Sequence, residues 1–258
     1  MSQTRVYARQ ELLPDIGGVV ASSFTVAIVT TGIGWYFVQE SVWQTHHLLA
    51  SIVSFFVLAT LINILWISHA AGSRFGEANQ ATLLRSGLVC LIGSTLLVSG
   101  QEPDISWHLA GLIAVALALD GVDGFLARRL NLSSDFGARF DMEIDALLLL
   151  ILSLLVWQTG QAGAWVLLIG LMRYAFVAAS WFMKPLAGPL SPSFRRKTVC
   201  ALQGIALLAC LLPPLDQTRS TIIALVALSS LVLSFGLDIR ALLQGSIPNR
   251  GLEERAST

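Results

Sequence analysis

The sequence predicts an all-α, polytopic integral membrane helix bundle, and three observations lead there. Of 258 residues, 55% are hydrophobic and only 12% charged, with a mean hydropathy of +0.72, whereas soluble domains carry about 25% charged residues. Stretches approaching the ~20 apolar residues that a spanning helix takes recur along the whole chain. They are continuous rather than alternating, which argues against the strands of a membrane barrel.

The predicted helices cover roughly 16–38, 47–68, 81–99, 105–127, 138–158, 163–183, 198–214 and 219–240, eight in all by the ~20-residue criterion. The first is longer than the apolar core of a secretory signal and lacks a convincing small-residue cleavage site, so it is read as retained. It carries Gly32 and Gly34, which would admit a close neighbour, although they form no strong small-xxx-small pattern. His46, His47, His69 and His108 sit near predicted boundaries and are dispersed, so an interfacial placement is expected for them rather than ligation. Seven Trp and three Tyr suit interfacial belts and packing in the same way. Cys90, Cys200 and Cys210 fall inside apolar helices without metal-ligand spacing and are expected to pack. The fourth and fifth helices are joined by a polar loop from Arg129 to Phe136. Arg173 stands in the middle of the sixth helix, where an arginine faces a partner or a cavity. Pro185–Ser193 reads as a loop, and the chain turns polar from Gly245 onward.

Lys and Arg placement orients the bundle, because short cytoplasmic loops hold the positive excess. With both termini in the cytoplasm, the inner segments contain Arg5, Arg9, Arg74, Arg128, Arg129, Lys184, Arg195, Arg196, Lys197, Arg250 and Arg255. The outer loops contain Arg219 alone. A formal net charge of zero makes no case for nucleic acid, and the basic residues lie beside the membrane instead.

Four carboxylates stand out against this apolar background: Asp120, Asp123, Asp141 and Asp145. Each ionised group in a bilayer costs ~2.5–3.5 kcal/mol on insertion scales, so a cluster of four marks the place to seek function. At ~100° per residue, with Asp120 at zero, Gly124 falls at about +40°, Ala127 at −20°, Asp123 at −60° and Arg128 at +80°. One helix face thus carries two carboxylates, two residues with almost no side chain, and a guanidinium able to grip a phosphate. Gly137, Asp141 and Asp145 share one face of the next helix, whereas Glu143 turns ~200° from both acids, toward a neighbouring helix or subunit. Packed as a hairpin across the short loop, the two helices would bring up to four carboxylates together, and these repel unless cations lie between them. Hard oxygen donors with no His or Cys cluster suit Mg²⁺, Mn²⁺ or Ca²⁺ rather than zinc. Carboxylates beside a phosphate-gripping Arg suggest metal-assisted phosphoryl chemistry, in which two ions ~3.5–4 Å apart act together.

The run D-x2-D-G-x2-A-R-x8-G-x3-D-x3-D over residues 120–145 resembles the signature of the CDP-alcohol phosphotransferases, the integral membrane enzymes of phospholipid head-group synthesis, at every fixed position. Asn79-Gln-Ala-Thr82-Leu-Leu-Arg85 resembles the Asn-x-x-Thr entry to that family's first core helix, and Lys197-Thr198 with Gln203 the entry to its fifth. Many members have Pro before the Asn and Lys after the fourth Asp, where this chain has Ala78 and Ala146. The resemblance implies a six-helix core over 71–244, an N-terminal extension with two transmembrane helices over 1–70, and a polar tail over 245–258.

It also implies roles. Asp120, Asp123, Asp141 and Asp145 would hold two divalent cations, Mg²⁺ or Mn²⁺, with Asp145 the base that deprotonates the acceptor hydroxyl. Asn79, Thr82, Gly124, Ala127, Arg128, Ser134 and Gly137 would contact the CDP part, and Arg173, Arg196 and Lys197 the acceptor. Arg195 to Lys197 have a plainer reading as membrane anchors, and Arg173 as one half of an ion pair within the bundle. The expected activity is transfer of a phosphatidyl group from CDP-diacylglycerol to a polar alcohol with release of CMP, by a homodimer in the cell membrane whose site faces the cytoplasm. Unpaired cations at Arg173 and Lys197 would call for an anionic acceptor, which favours a phosphorylated polyol. Two other readings are CDP-choline or CDP-ethanolamine as donor to a lipid acceptor, and a cation-coupled transporter, for which repeated halves with broken helices would be expected.

Overall fold

The computed structural model describes residues 15–69, 75–97, 106–130, 135–183 and 194–245; at 69, 122–130, 135 and 243–245 the description is of the backbone alone. Among these residues the secondary structure is entirely helical. The helices are α1 (Ile16–Gln39), α2 (Thr45–His69), α3 (Glu77–Leu97), α4 (Trp107–Leu130), α5 (Asp135–Gln158), α6 (Leu167–Phe182, preceded by a 3₁₀ turn, Ala164–Val166), α7 (Phe194–Cys210) and α8 (Gln217–Gly245). Caps set some of the ends. The Gly18 amide donates to Asp15 Oδ1 at 2.8 Å at the start of α1, and the Leu109 amide donates to Ser106 Oγ at 3.2 Å before α4. Pro213 and Pro214 follow the end of α7, where they cannot continue it.

Among the described residues eight α-helices are observed where eight spans were expected, but the two counts differ in kind. Five helical segments, α1, α2, α3, Ala164–Phe182 and α8, are long and apolar enough by themselves to cross a membrane. The apolar run of α4 is interrupted by Asp120 and Asp123, the first turns of α5 carry Arg139, Asp141, Glu143 and Asp145, and α7 begins with Arg195, Arg196 and Lys197. Helix and apolar segment do not coincide, because a polar turn continues a helix as readily as an apolar one. The outward faces identify the surroundings as lipid: Ile28 is 73% exposed, Val57 68%, Leu233 69% and Trp181 79%, a distribution that water would not tolerate.

The bundle is arranged around α3, which packs against α1, α2, α4 and α5. Small residues set the closest approaches. A Cβ at Gly87 would meet Thr30 Cγ2 at 2.3 Å, and one at Gly34 would meet Leu48 Cδ1 of α2 at 2.8 Å and Leu91 Cδ2 of α3 at 3.2 Å, so α1 presses directly on both α2 and α3. Gly32, by contrast, has open space around it. At the other end of α2, fully buried Trp66 stacks edge-on against Phe75, which precedes α3, and Phe136 in the first turn of α5. The added hairpin therefore braces both the helix of Asn79 and Thr82 and the residue next to Gly137. His47 stacks on Trp43, and His108 sits edge-on to Phe37, an aromatic group at the junctions of α1, α2 and α4. Cys90 and Cys210 are buried and Cys200 half-buried, all three as free thiols.

On the far side, α5 packs against α6 and α7, α7 against α4 and α8, and α6 against α8. Gly170 decides the α5–α6 crossing, since a Cβ there would lie 2.5 Å from Leu150 Cα and 2.6 Å from Ser153 Oγ. Backbone cannot yield as a flexible side chain does. Gly170→Ala is therefore expected to destabilise the protein by about 1–3 kcal/mol, the usual range for overpacking, and to lower its midpoint of thermal unfolding in detergent. An unchanged midpoint would show that α6 shifts freely along α5.

Candidate functional site

Among the described residues, most of the charge on the six helices α3 to α8 gathers toward one end of the bundle, the pair Asp216 and Arg219 at the start of α8 lying at the other. The start of α3 contributes Arg85, the later part of α4 Asp120, the start of α5 Asp141, Glu143 and Asp145, α6 Arg173, the start of α7 Arg195 to Lys197, and the later part of α8 Asp238. Alternate helices run in opposite senses, so these positions fall within a single layer. Each charge there must find a partner or a cavity.

Asp120 on α4 and Asp141 and Asp145 on α5 offer carboxylate oxygens that all lie within 4.8 Å of one another. Their spacing on α5, one turn apart, puts Asp141 and Asp145 on the same face, as expected. How the two acidic helices meet differs from the expected hairpin. Among the described residues, direct packing of α4 on α5 is slight, and they join chiefly through α3 on one side and α7 on the other. The reason is the fully buried guanidinium of Arg85 on α3. Its Nη1 donates to Asp120 Oδ1, its Nη2 donates to Asp141 Oδ1, and the same Nη2 lies 2.9 Å from Asp145 Oδ1. Like charges on adjoining helices repel, and a cation between them converts repulsion into cohesion.

Arg85 is the functional residue that the sequence reading passed over. It lies within the predicted third span and closes the quoted Asn79-x-x-Thr82-x-x-Arg85 run. The rule that an intramembrane arginine faces a carboxylate, applied above to Arg173, applied equally here. Asn79 and Thr82 are buried on the same helix within two turns of Arg85, with Thr82 Oγ1 donating to Ala78 O at 3.1 Å. Gly137 is half-buried in the first turn of α5. Asp123, Gly124, Ala127 and Arg128 lie on the last turns of α4, with side chains outside the described part, and Ser134 lies outside the described residues altogether.

Arg173 does not stand alone. Its Nη2 donates to Glu143 Oε1 at 2.5 Å, and Nη1 lies 3.9 Å from Met142 Sδ. Glu143 thus points away from the acid cluster, as its helical angle requires, and its neighbour is α6. The anion that an isolated Arg173 would have demanded is supplied by the protein itself. On α7, Arg195 joins α8: Nη1 donates to Ser234 O at 2.6 Å and to Ser234 Oγ at 2.7 Å, and Nη2 to Asp238 Oδ1 at 2.5 Å. Arg196 Nη1 lies 3.6 Å from the same carboxylate. Lys197 is exposed and within electrostatic reach of Asp141, and Cys200, one turn on, feels Asp145, Asp120, Asp141 and Arg173. Helix α7 therefore forms a wall of the acid site.

The donor set fits a hard divalent cation. Three carboxylates from two helices converge with no imidazole or thiolate ligating group among them, the set that Mg²⁺ and Mn²⁺ prefer. With Arg85 counted, the described side chains retain two negative charges, which one divalent ion would balance.

The sequence profile of the CDP-alcohol phosphatidyltransferase family matches residues 75–235, a span holding the acids, Arg85 and all of α3 to α7. The chain is also similar to a CDP-diacylglycerol–glycerol-3-phosphate 3-phosphatidyltransferase of Bacillus subtilis (strain 168), 32% identical over 109 residues, which is 38% of this chain and 56% of the relative. The chain thus matches little more than half the length of that relative. No solved structure matches it.

Proposed function

The chain belongs to the CDP-alcohol phosphatidyltransferase family, and from that premise we propose that it transfers a phosphatidyl group from CDP-diacylglycerol to a polar alcohol and releases CMP. The observation that carries this reading is the convergence of Asp120, Asp141 and Asp145 within 4.8 Å inside a membrane bundle, on the spacing of the family signature.

In this reading Asp120, Asp123, Asp141 and Asp145 hold two divalent ions, which supply charge neutralisation for the donor's pyrophosphate. The chain's own groups do the rest. The face of Gly124, Ala127 and Arg128, with Asn79, Thr82, Ser134 and Gly137 around it, receives the cytidine and its phosphates; the missing side chains of Gly and Ala leave room for them, and Arg128 grips an oxygen pair. Asp145 accepts the acceptor hydroxyl's proton as that oxygen bonds to the β-phosphorus and the bond to the CMP oxygen breaks. The positive-inside pattern puts the site on the cytoplasmic side.

A panel assay tests the function: CMP release from CDP-diacylglycerol by the purified protein in detergent with Mg²⁺ or Mn²⁺, against glycerol 3-phosphate, inositol phosphate, serine and choline, with lipid products identified by mass spectrometry. Release with any of these supports phosphatidyl transfer. Absence of release with all of them, while CDP-choline and diacylglycerol yield CMP, would reverse donor and acceptor.

A phosphorylated polyol is the preferred acceptor. Two basic residues in the first turn of α7, Arg195 and Arg196, share the one carboxylate of Asp238, Lys197 beside them is exposed, and the Bacillus relative's name gives glycerol 3-phosphate as its acceptor. Lys197→Ala is expected to raise the acceptor KM about 10-fold or more, the loss of a charge-assisted contact of ~1.5–3 kcal/mol, with donor affinity little changed. Efficient use of free serine or choline, and none of either phosphorylated alcohol, would show that this cation serves packing or the donor.

A further inference from the structure

The cation that the protein itself places among the acids is the feature the reaction does not account for. Arg85 has a completely buried side chain, and its two terminal nitrogens reach all three carboxylates of the described cluster. A buried arginine so placed cannot swing out to solvent. It is flanked on its own helix by Leu84 and Ser86, with Leu83, Ser86 and Leu88 all buried, and α3 is enclosed by four neighbouring helices. Its positive charge is therefore a permanent part of the site, and its fork fixes where the carboxylate oxygens point.

We propose that Arg85 is a positioning residue that sets the cation capacity of the acid site: it orients Asp120, Asp141 and Asp145 and limits the cluster to weak uptake of divalent ions until the donor's pyrophosphate joins it. The proposal rests on the phosphatidyl-transfer reading for the identity of the donor. Its physical basis is local. A guanidinium repels a divalent ion bound to the same carboxylates, and it occupies one lone pair on each of them. The pyrophosphate of a CDP group brings new negative charge and new oxygen ligands, so ion and nucleotide bind together more tightly than either does alone. The arrangement avoids a heavily charged site within the membrane end of the bundle at every stage of the cycle.

The test is Mn²⁺ binding by the purified full chain, read by electron paramagnetic resonance with and without CDP, for wild type, Arg85→Gln and Arg85→Lys, together with thermal unfolding in chelator and in Mn²⁺. Wild type is expected to bind Mn²⁺ weakly alone and at least about 10-fold more tightly with CDP. Arg85→Gln is expected to bind Mn²⁺ at least about 10-fold more tightly without CDP, to lose most of the CDP enhancement, and to unfold at lower temperature in chelator but recover in Mn²⁺. Arg85→Lys, which keeps the charge but not the fork, is expected to retain weak binding of Mn²⁺ alone. A merely structural arginine would lower the unfolding temperature equally in chelator and in Mn²⁺, and that result would overturn the proposal. So would unchanged Mn²⁺ affinity in Arg85→Gln, or no CDP enhancement in wild type. If Arg85→Gln does not fold, Arg85→Gln with Asp120→Asn removes one charge of each sign; failure of that pair to fold in Mn²⁺ also counts against the proposal. The two readings fail separately: normal phosphatidyl transfer with Arg85-independent Mn²⁺ binding removes this inference alone, and Arg85-dependent binding without transfer removes the function alone.

Discussion

Replacing Asp141 by Asn is expected to abolish turnover and metal binding together. The change removes one negative charge and one oxygen ligand from a site whose described groups are three carboxylates and Arg85. With one acid gone, a single negative charge remains among those groups, too little to hold a divalent ion beside a guanidinium. Metal stabilisation of a developing phosphoryl charge is worth several kcal/mol, and at ~1.4 kcal/mol per factor of ten that is a loss of about 10³-fold or more. Asp120→Asn should behave alike, since Asp120 is the other partner that Arg85 holds most closely. The matching experiment on wild type is removal of metal. CMP release should stop in chelator and return with Mg²⁺ or Mn²⁺, and full activity in chelator would sink the metal reading of the cluster.

Asp145→Asn is expected to separate chemistry from binding. Asp145 sits one turn beyond Asp141 on the same face of α5 and lies 2.9 Å from Arg85 Nη2. The family resemblance assigns it the proton of the acceptor hydroxyl. Loss of a general base costs ~10²–10⁴ in kcat, with donor affinity little affected. Rapid-quench measurement of CMP formation alongside CDP binding by the same variant distinguishes the roles. Near-normal turnover would mean that the acceptor proton leaves by another route, and a proportionate fall in donor affinity would make Asp145 mainly a ligand.

Much of the candidate site was legible because its information is local. Asp141 and Asp145 share a face because a helix repeats every 3.6 residues, whatever surrounds it. The opposite orientation of Glu143 follows from the same arithmetic, and the structure finds it against α6. The helices were legible for a similar reason, since lipid demands long apolar segments with satisfied backbones. Their ends were less so. Helix α7 starts at Phe194 and α5 at Asp135, ahead of the expected 198 and 138, because hydropathy registers where lipid begins and hydrogen bonding decides where the helix begins.

Contacts between distant segments were not legible. Arg85 lies 35 residues from Asp120 and 56 from Asp141, and nothing in its own turn of α3 says which helix it faces. Arg173 was assigned to the acceptor on the premise that it lacked an anion, and Glu143, 30 residues away, supplies one. Arg195, equally plain as a membrane anchor, clamps α7 to α8 through Ser234 and Asp238. By itself, then, the sequence determined the membrane setting, the helical class and the alignment of Asp141 and Asp145 on one face of α5, since each depends on composition or on periods of a few residues. Only the tertiary structure decided which cation sits among the acids, that α3 and α7 link the two acidic helices among the described residues, and that the N-terminal pair braces α3 through Gly34, Gly87 and Trp66. Those outcomes depend on steric fit and charge pairing between segments far apart in the chain, and such terms take definite values only once the helices have met.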